Sequence, residues 1–369
     1  MRLTRLELIN FRCWEQLAVD FPEGPVALVG PNASGKTSIL EAIWYAASLG
    51  SHRTSTDAVL VRSGQTSAII RARVDRDGRD DLVELEIVTQ GRARAKLGGA
   101  SVPRRRDVLG TLRATIFSPE RVAVVRGDPG ERRRFADDLL AQLYPRYHAV
   151  IKEFERALRQ RNALLRESEG RVPPGIEAWD EALAGPGGEL CAGRAQAIAA
   201  LDPAATESFA SVGGTSRLSV AYAPNVAPPG SLRPEDWTAA ILRRLEERRR
   251  DEVVRKTTLA GPHRDDLDIT VDGLPARTHA SQGEAWLASL GLVLGAHGAI
   301  GQQVGETPLL LLDDAFGFLD PERRERLGSV LPSEAQLIAT TSDRQECPTS
   351  LQWKIFSVSV DGVGHDATS

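Results

Sequence analysis

Apolar and polar residues alternate along much of the first hundred residues, as they do in β-strands that have one buried face. A short apolar run predicts a strand over residues 25–29, and the alternation predicts strands over residues 3–10, 17–21, 67–74 and 82–88. The last two of these are expected to form a hairpin, with a turn near Asp77 and Gly78. A helix is predicted from about Lys36 to Ser48. The N-terminal part of the chain is therefore expected to be rich in β-structure.

The apolar residues change to helical spacing at about Phe135 and recur every three or four positions as far as Leu165. Because Pro145 has no backbone N–H, it is expected to break this stretch and leave a second helix of about 20 residues. Two more helices are predicted near residues 176–201 and 235–256. Loop-like composition is found in two segments, GPGGE at 185–189 and APNVAPPG at 223–230.

Strand character returns after Thr258 in the segment DLDITVDG, and it is followed by a predicted helix from about Gln282 and an apolar block at residues 309–312. The order of elements predicts an α/β core interrupted by a mainly helical insert of about 135 residues. The expected boundaries are residues 1–118 and 256–369 for the two parts of the core and 119–255 for the insert.

Composition narrows the class of protein without naming its function. The 369 residues are 41% hydrophobic and 26% charged, and no apolar run approaches the roughly 20 residues of a membrane span. The N-terminus lacks the apolar block of a secretory signal, and the three cysteines show no CxxC spacing. A reducing cytoplasm is therefore expected, with no membrane partner. The net charge of −4 excludes a uniformly basic coat, so any DNA contact needs a local patch or an assembly.

A glycine-rich loop lies between the predicted strand at 25–29 and the helix from Lys36. Its residues match the pattern GxxxxGK[ST] and are Gly30, Pro31, Asn32, Ala33, Ser34, Gly35, Lys36 and Thr37. In such a loop the backbone N–H groups face the phosphates of ATP, the lysine reaches the β- and γ-phosphates, and the threonine hydroxyl binds Mg²⁺. The alternative is a simple glycine-rich turn, which the strand–loop–helix context disfavours.

Two aspartates follow the apolar block at residues 309–312. P-loop proteins hold Mg²⁺ with an acidic residue at the end of a buried strand, and Asp313 is best placed for this role. Asp314 is the candidate general base for the attacking water. The alternative is a buried strand capped by two turn aspartates. The predicted catalytic residues are therefore Lys36, Asp313 and Asp314, and the predicted metal ligands are Thr37 and Asp313.

A third motif opens the predicted helix at Gln282. Ser281 and Glu284 have the spacing of a capping box, and taken alone the segment is an ordinary helix start. Together with a P-loop upstream and Asp313 downstream, it resembles the ABC signature, in which a helix N-terminus contacts a γ-phosphate from the opposite subunit. The signature residues are Ser281, Gln282 and Gly283. The segment at 317–320, which ends in Asp320, is similar to a D-loop.

In this order the motifs resemble the ABC-type ATPase superfamily, and finer features are similar to the RecF family of its SMC-like DNA-repair branch. The matching segments are LELINFRCW (6–14), GPNASGKTSILEAI (30–43), SHRTSTDAVLVRSG (51–64), FSPERVAVVRGDPGERRRFADDLL (117–140), LRQRNALL (158–165), AGPHRDDLDITVDG (260–273), ASQGE (280–284) and LLLLDDAFGFLD (309–320). The resemblance implies an ABC-type ATPase head, a P-loop fold with an antiparallel β subdomain, and an inserted α-helical lever-arm domain.

The resemblance also implies a function. Two chains are expected to pair head to tail when ATP binds, with the P-loop of one and the signature of the other enclosing each nucleotide. The family acts at single-strand gaps and double/single-strand junctions, works with RecO and RecR to load recombinase, and supports replication restart and the SOS response. The expected activity is a weak DNA-dependent ATPase that serves a DNA-binding clamp.

Some positions depart from the family's usual pattern. Glu284 and Trp286 stand where the family has glutamines and an arginine, which suggests a weaker phosphate contact from that helix. Phe318 replaces the usual D-loop glutamate and puts the contacts across the dimer in doubt. Thr340, near the switch-histidine position of transport ATPases, is ordinary for this family. Because Asp314 is shorter than the glutamate it replaces, slow hydrolysis is predicted.

The basic motifs leave two interpretations open. His263 and Arg264 suit either a loop facing nucleotide or DNA, or a satisfied turn. The arginines at 132–134 suit either DNA phosphates or a solvated helix start paired with Glu131 and Asp137, and the runs at 104–106 and 248–250 raise the same question.

Three other classes of protein share part of this pattern. In a transport ATPase subunit, the P-loop and signature are closer together than the roughly 240 residues found here. A small-molecule kinase leaves the signature helix and the D-loop unexplained. An SMC-type tether needs longer helices, since about 20 residues reach only about 30 Å.

Overall fold

A computed structural model describes residues 1–76, 78–213, 216–332 and 335–365. Its contacts divide the chain into two compact units. Unit 1 comprises Met1–Val122, Ala204–Arg217 and Ser281–Ser369, and unit 2 comprises Ala123–Pro203 and Leu218–Ala280.

The described residues form strands and helices in both units. The strands are β1 (Arg2–Phe11), β2 (Trp14–Asp20), β3 (Val26–Val29), β4 (Ser67–Arg76), β5 (Arg79–Val88), β6 (Ala95–Leu97), β7 (Ala100–Ser101), β8 (Ala114–Phe117), β9 (Leu218–Ala223), β10 (Asp266–Val271), β11 (Leu274–Pro275), β12 (Leu309–Asp313), β13 (Leu337–Thr341), β14 (Lys354–Ser359) and β15 (Gly362–His365). The helices are α1 (Lys36–Ser48), α2 (Ala123–Arg126), α3 (Pro129–Leu143), α4 (Tyr147–Glu167), α5 (Ile176–Ser211), α6 (Pro234–Arg255), α7 (Ala276–His279), α8 (Gln282–Val304) and α9 (Pro321–Val330).

A six-stranded sheet in unit 1 has the order β15-β14-β3-β13-β12-β8, and its strands from β14 to β8 are parallel. The strands β12 and β13 are buried along their whole length, as expected for a sheet covered on both faces. Helix α1 begins and ends at the predicted residues. Since β3, β13 and β12 are parallel neighbours, the loops after all three leave the sheet at the same edge.

A second sheet of unit 1 is antiparallel and has the order β2-β1-β4-β5-β6-β7. It contains the strands predicted from the N-terminal alternation, and its buried side chains join a core that includes Leu3, Leu6 and Leu8. The predicted hairpin is present, with Arg76 opposite Arg79, and Gly78 has a φ of 79°. Asp77, the other predicted turn residue, lies outside the described residues.

Helix α8 of unit 1 is buried on nearly all sides, from Ala285 to Ile300. Its glycines permit close contact, since a Cβ on Gly295 would lie 2.5 Å from the backbone nitrogen of Ala205. Although α8 is long and apolar, no helix in the described part of the chain meets the length and hydropathy of a membrane span.

Unit 2 is mainly helical and also contains a three-stranded sheet with the order β11-β10-β9. Pro145 separates α3 from α4, as predicted, and α4 is 21 residues long. The prediction of loop-like structure at 185–189 is wrong, because these residues lie inside α5. The glycines allow close packing against α6: a Cβ on Gly188 would lie 2.2 Å from the Thr238 hydroxyl oxygen.

The boundaries of the units differ from the predicted ones at 118 and 256. Residues 256–280 belong to unit 2, because β10 pairs with β9 over six residues. Ala204–Arg217 belongs to unit 1, where Phe209 lies against Gly291 of α8. The amino-acid composition does not indicate that residues 256–280 or residues 204–217 belong to these units.

Candidate functional site

The glycine-rich loop between β3 and α1 has a backbone that only small residues accept. Gly35 has a φ of 99°, and a Cβ there would lie 2.6 Å from the ring of Trp14. A Cβ on Gly30 would lie 2.1 Å from the carbonyl oxygen of Val358. The buried hydroxyl of Ser34 has no hydrogen-bond partner among the described residues. A glycine-rich helix start beside an unpaired hydroxyl suits a phosphate group.

Lys36, the predicted phosphate-binding lysine, is buried at the start of α1. Its ammonium donates hydrogen bonds to the carbonyl oxygens of Gly30 at 2.6 Å and Pro31 at 2.9 Å. Burial lowers the pKa of Lys36, while the nearby carboxylates of Asp314, Asp313 and Glu346 raise it. A cation held among carboxylates and carbonyls is positioned to bind the oxygens of a phosphate.

The predicted Mg²⁺ ligands lie together. Thr37 donates its hydroxyl hydrogen to Oδ1 of Asp313 at 3.0 Å, and Thr340 donates to the same oxygen at 2.6 Å. Asp313 is 4% exposed. Burial raises its pKa, against the lowering effect of the hydrogen bonds from Thr340 and Thr37. A hydroxyl and a carboxylate at this spacing are hard oxygen ligands, which is the donor set that Mg²⁺ prefers.

Asp314 follows directly, with a left-handed backbone at a φ of 49°. Its N–H donates to the Thr340 hydroxyl at 3.0 Å. Burial raises the pKa of Asp314, Glu346 raises it further, and Lys36 opposes both effects. Glu346 was not predicted as a site residue; it is held by a hydrogen bond from the Thr341 hydroxyl. The site thus contains a third carboxylate, brought in from beyond the end of β13.

Two arginines at the same site also escaped the sequence analysis. Arg12 donates to both oxygens of Glu41, at 2.8 and 2.7 Å, and Arg53 lies 3.8 Å from the same carboxylate. Glu41 is fully buried in α1 and also accepts from Ser51. Three of the recognised segments, around residues 12, 41 and 51–53, therefore meet at one buried carboxylate.

Beside this cluster unit 1 has a cavity of about 570 Å³. Its walls include residues 32–37 of the P-loop, the adjoining Ser38, and Asp313, Asp314 and Thr340. Arg12, Cys13, Arg53, Val59, Val61, Ser63 and Ser342 complete the lining. The volume is within the range of small-molecule and cofactor sites. The predicted P-loop and the aspartate pair are thus brought together in one cavity.

The signature residues stand at a capped helix start. Ser281 accepts a hydrogen bond from the N–H of Glu284 at 3.2 Å, and the Glu284 carboxylate accepts from the N–H of Ser281 at 2.8 Å. Ser281, Gln282 and Gly283 are exposed, and in the described part of the chain none of them lines the cavity. Glu284, which departs from the family's usual pattern, therefore stabilises the start of α8 as one half of the capping box.

The departures at Trp286 and Phe318 contact each other. Their ring centroids lie 4.6 Å apart, and Trp286 also packs edge-on against Phe117 at 4.8 Å. Trp286 is 8% exposed, whereas Phe318 is 62% exposed. Asp320 of the D-loop caps α9 by accepting from the N–H of Arg323 at 2.9 Å. The aromatic pair links the signature helix to the D-loop within one chain.

The arginines at 132–134, in unit 2, favour the helix-start interpretation; the predicted partner Glu131 is found for Arg134, whereas Arg132 is buried and has a different partner. Arg132 is buried and pairs with Asp266, at 2.5 and 2.9 Å, instead of Glu131 or Asp137. Arg133 donates to a backbone carbonyl, and Arg134 lies 3.6 Å from Glu131. Asp137 pairs with Arg194 at 2.8 Å.

His263 and Arg264 favour the satisfied-turn interpretation. A ring nitrogen of His263 lies 3.0 Å from the carbonyl oxygen of Thr258, to which Arg264 also donates at 3.2 Å. The next residue, Asp265, is buried and pairs with Arg194 at 3.2 Å. The GPHRDD segment therefore holds unit 2 together.

The contacts of Arg161 likewise hold unit 2 together. Arg161 is fully buried and donates to Asp180 at 2.7 Å, Glu252 at 2.7 Å and Thr258 at 2.9 Å. The other arginine runs are also partly ion-paired, through Arg105–Asp57 at 3.6 Å, Arg248–Asp251 at 2.9 Å, Arg249–Glu177 at 2.8 Å and Arg249–Asp180 at 2.7 Å.

Comparison with known proteins agrees with this architecture. A family model described as the RecF/RecN/SMC N terminal domain matches residues 2–359. Similar proteins described as DNA replication and repair protein RecF come from Frankia alni (43% identity; 95% of this chain and 96% of the relative), Kineococcus radiotolerans (41%; 95% of each) and Streptomyces avermitilis (40%; 97% and 98%).

Similar solved structures include the recombination mediator protein RecF in the RecFOR pathway, solved as RecF-ATPrS and RecF-ATP. Their TM-scores are 0.89 and 0.88 at 24% identity, covering 99% of this chain and 98% and 97% of theirs. The Smc head domain with an extended coiled coil from Pyrococcus furiosus has a TM-score of 0.55 at 18% identity, covering 100% and 96%. The predicted α/β fold of an ABC-type ATPase head is confirmed. Because the family model matches residues 2–359 and the Frankia alni relative is 43% identical over 95% of this chain, the chain belongs to the RecF family of DNA replication and repair proteins.

Proposed function

We propose that this chain is an ATP-dependent DNA-binding clamp of recombinational repair, with ATP and Mg²⁺ bound at residues 30–37. Bound Mg²⁺ supplies positive charge that neutralises the phosphates. The N–H groups of the loop hold the phosphates, and Lys36 exchanges its bonds to Gly30 and Pro31 for phosphate oxygens. Thr37 and Asp313 hold the cation, because their oxygens already lie 3.0 Å apart.

The same site supports slow hydrolysis. Asp314 orients the attacking water and accepts its proton, and its raised pKa makes it a better base than an ordinary aspartate. Its short side chain reaches less far than a glutamate, which supports a weak ATPase. Stimulation of this activity by DNA is part of the proposal.

The position of the signature carries the proposal that ATP joins two copies. Ser281, Gln282 and Gly283 are exposed at the N-terminus of α8 and stand apart from the lining of the cavity in the described part of the same chain. A helix N-terminus that contacts a γ-phosphate must therefore come from a second copy. ATP then acts as the link between the two chains, and hydrolysis releases them.

Membership of the RecF family supports the cellular role. The clamp acts in the cytoplasm at single-strand gaps or double/single-strand junctions. There it works with RecO and RecR to load recombinase, in replication restart and the SOS response. The RecFOR pathway in the description of the two solved relatives supports these partners.

Sedimentation velocity with and without ATP tests the dimer. The wild type is expected to dimerise with ATP, whereas Lys36→Met and Ser281→Arg are expected to stay monomeric. Ser329→Arg, at another exposed serine of unit 1, is the control and should dimerise. Intact ATP-dependent dimers of Ser281→Arg would overturn the role of the signature, and normal ATP turnover by Lys36→Met would overturn the nucleotide site.

Titration of a labelled gapped duplex tests the clamp. Binding is expected to tighten with ATP and to weaken as salt rises, since phosphate contacts release counterions. Equal affinity with and without ATP would remove the clamp from the proposal while leaving the nucleotide site intact.

A further inference from the structure

His52 is a buried histidine beside the nucleotide cavity whose chemistry is so far unexplained. It is 6% exposed, and neither of its ring nitrogens has a hydrogen-bond partner among the described residues. Leaving a buried polar group unpaired destabilises the folded state, so such a group calls for an explanation. Ser51 and Arg53, on either side of His52, are anchored to Glu41, which fixes this segment in place.

The imidazole faces two carboxylates. One ligand atom each from His52, Glu120 and Asp313 lie within 4.8 Å of one another. Ligand atoms about 2.1 Å from a common ion lie at most about 4.2 Å apart, so a contraction of several tenths of an ångström completes the geometry. Glu120 lies beyond the end of β8 and Asp313 at the end of β12, and these strands are parallel neighbours. The sheet therefore brings two of the three ligands to one edge.

We propose that His52 and Glu120 join Asp313 as protein ligands of the cation that accompanies ATP. The proposal rests on the nucleotide site proposed above. It adds an imidazole nitrogen to the oxygen ligands Thr37 and Asp313, which changes the kind of ion that the site prefers.

Magnesium is a hard ion that favours oxygen ligands, whereas a site with an imidazole ligand favours first-row transition metals, with an affinity that rises from Mn²⁺ to Cu²⁺. Mn²⁺ is the member of this series that is closest to Mg²⁺ in its preference for oxygen ligands. The nitrogen of His52 therefore shifts the preference of the site toward Mn²⁺. Three arginines, Arg12, Arg53 and Arg121, place positive charge near His52. Arg12 and Arg53 contact Glu41, and Arg53 also lies 3.6 Å from Glu120. Glu120 is half exposed, so it can exchange this weak ion pair for a metal bond.

Pulsed EPR of Mn²⁺ with ATP tests the proposal directly. In protein labelled with ¹⁵N-histidine, wild type is expected to show ¹⁵N coupling to the bound Mn²⁺, which ATP at natural abundance cannot supply. His52→Ala is expected to abolish this coupling and to weaken Mn²⁺ binding about tenfold or more. Glu120→Gln should weaken Mn²⁺ binding and keep the coupling. His297→Ala, at another buried histidine of unit 1, is the control and should match wild type.

The outcomes separate the two proposals. If ATP and Mn²⁺ bind to wild type without ¹⁵N coupling, the role of His52 is wrong and the nucleotide site stands. Coupling that survives in His52→Ala also overturns the role of His52. If wild type binds neither ATP nor Mn²⁺, both proposals fail. Should His52→Ala not fold, ¹⁵N coupling in wild type with weaker Mn²⁺ binding by Glu120→Gln supports the site, and its absence overturns it.

Discussion

The buried ion network of unit 2 gives a sharp prediction about stability. Arg161 has no exposed surface, and its guanidinium holds two carboxylates, of Asp180 and Glu252, each at 2.7 Å. Replacing Arg161 with methionine keeps most of the side-chain volume and removes the charge. The carboxylates then remain in a site that excludes water.

The expected loss follows from what each carboxylate retains. Asp180 keeps a bond from Arg249 at 2.7 Å, so its cost is partly offset. Glu252 is fully buried, and among the described residues its carboxylate keeps one hydrogen bond, from the N–H of Leu259 at 2.7 Å. Removing one partner of a buried ion pair typically costs about 3–5 kcal/mol, and Glu252 is expected to account for most of that loss here.

Arg159→Met is the matched control, because it makes the same change on the same helix at a side chain that is 68% exposed. Urea unfolding followed by tryptophan fluorescence gives the difference between the variants, and hydrogen exchange of peptides from α4 and α6 localises it. The control is expected to lose less than about 0.5 kcal/mol. If the two variants unfold within about 1 kcal/mol of each other, the network does not stabilise unit 2 as argued.

Three further predictions concern unit 1. Glu346→Gln removes a negative charge beside Lys36. Since repulsion between that charge and the phosphates of ATP amounts to about 1 kcal/mol in solvent, ATP is expected to bind about fivefold tighter. Weaker binding of a fluorescent ATP analogue would contradict this. Phe318→Ala is expected to cost about 0.5–1.5 kcal/mol in urea unfolding. Because the substitution uncovers the buried Trp286, its fluorescence is expected to shift to longer wavelength, and an unchanged spectrum would argue against their contact. Burial lowers the pKa of His297 to about 4 from its usual 6.5, so the unfolded chain binds the proton at a higher pH than the folded chain. The free energy of unfolding is therefore expected to fall as the pH drops from 6.5 towards 4, by up to about 1.4 kcal/mol per pH unit. His297→Asn is expected to flatten this dependence, and an equal slope in both proteins would refute the assignment.

Elements with a clear period were predictable from the sequence. Helix α1 has the predicted bounds because a strand, a glycine-rich loop and a mostly apolar run follow one another without interruption. The segment at 185–189 misled the prediction, since its glycines serve the close approach of α6 and this contact is invisible to local composition. The strand β9 was missed because its pairing partner β10 lies over 40 residues later.

In the candidate site, too, some residues could be predicted from the sequence and others could not. The P-loop and Asp313 could be predicted as site residues because each sits in a contiguous motif with a known mechanism. Arg12, His52 and Glu346 reach the same site from distant segments, and only the folded sheets bring them there. For Arg132 the nearby acids in the sequence suggested the wrong partners, because Asp266 is 134 residues away.

The strand order of the central sheet has a consequence for synthesis on the ribosome. The P-loop follows β3, yet both neighbours of β3 in the sheet, β13 and β14, begin only at Leu337 and Lys354. While the chain is being made, the loop that carries the nucleotide motif has no neighbouring strands until translation is almost complete. A product truncated before Leu337 would therefore contain the glycine-rich motif but lack both strands that flank β3 in the folded sheet.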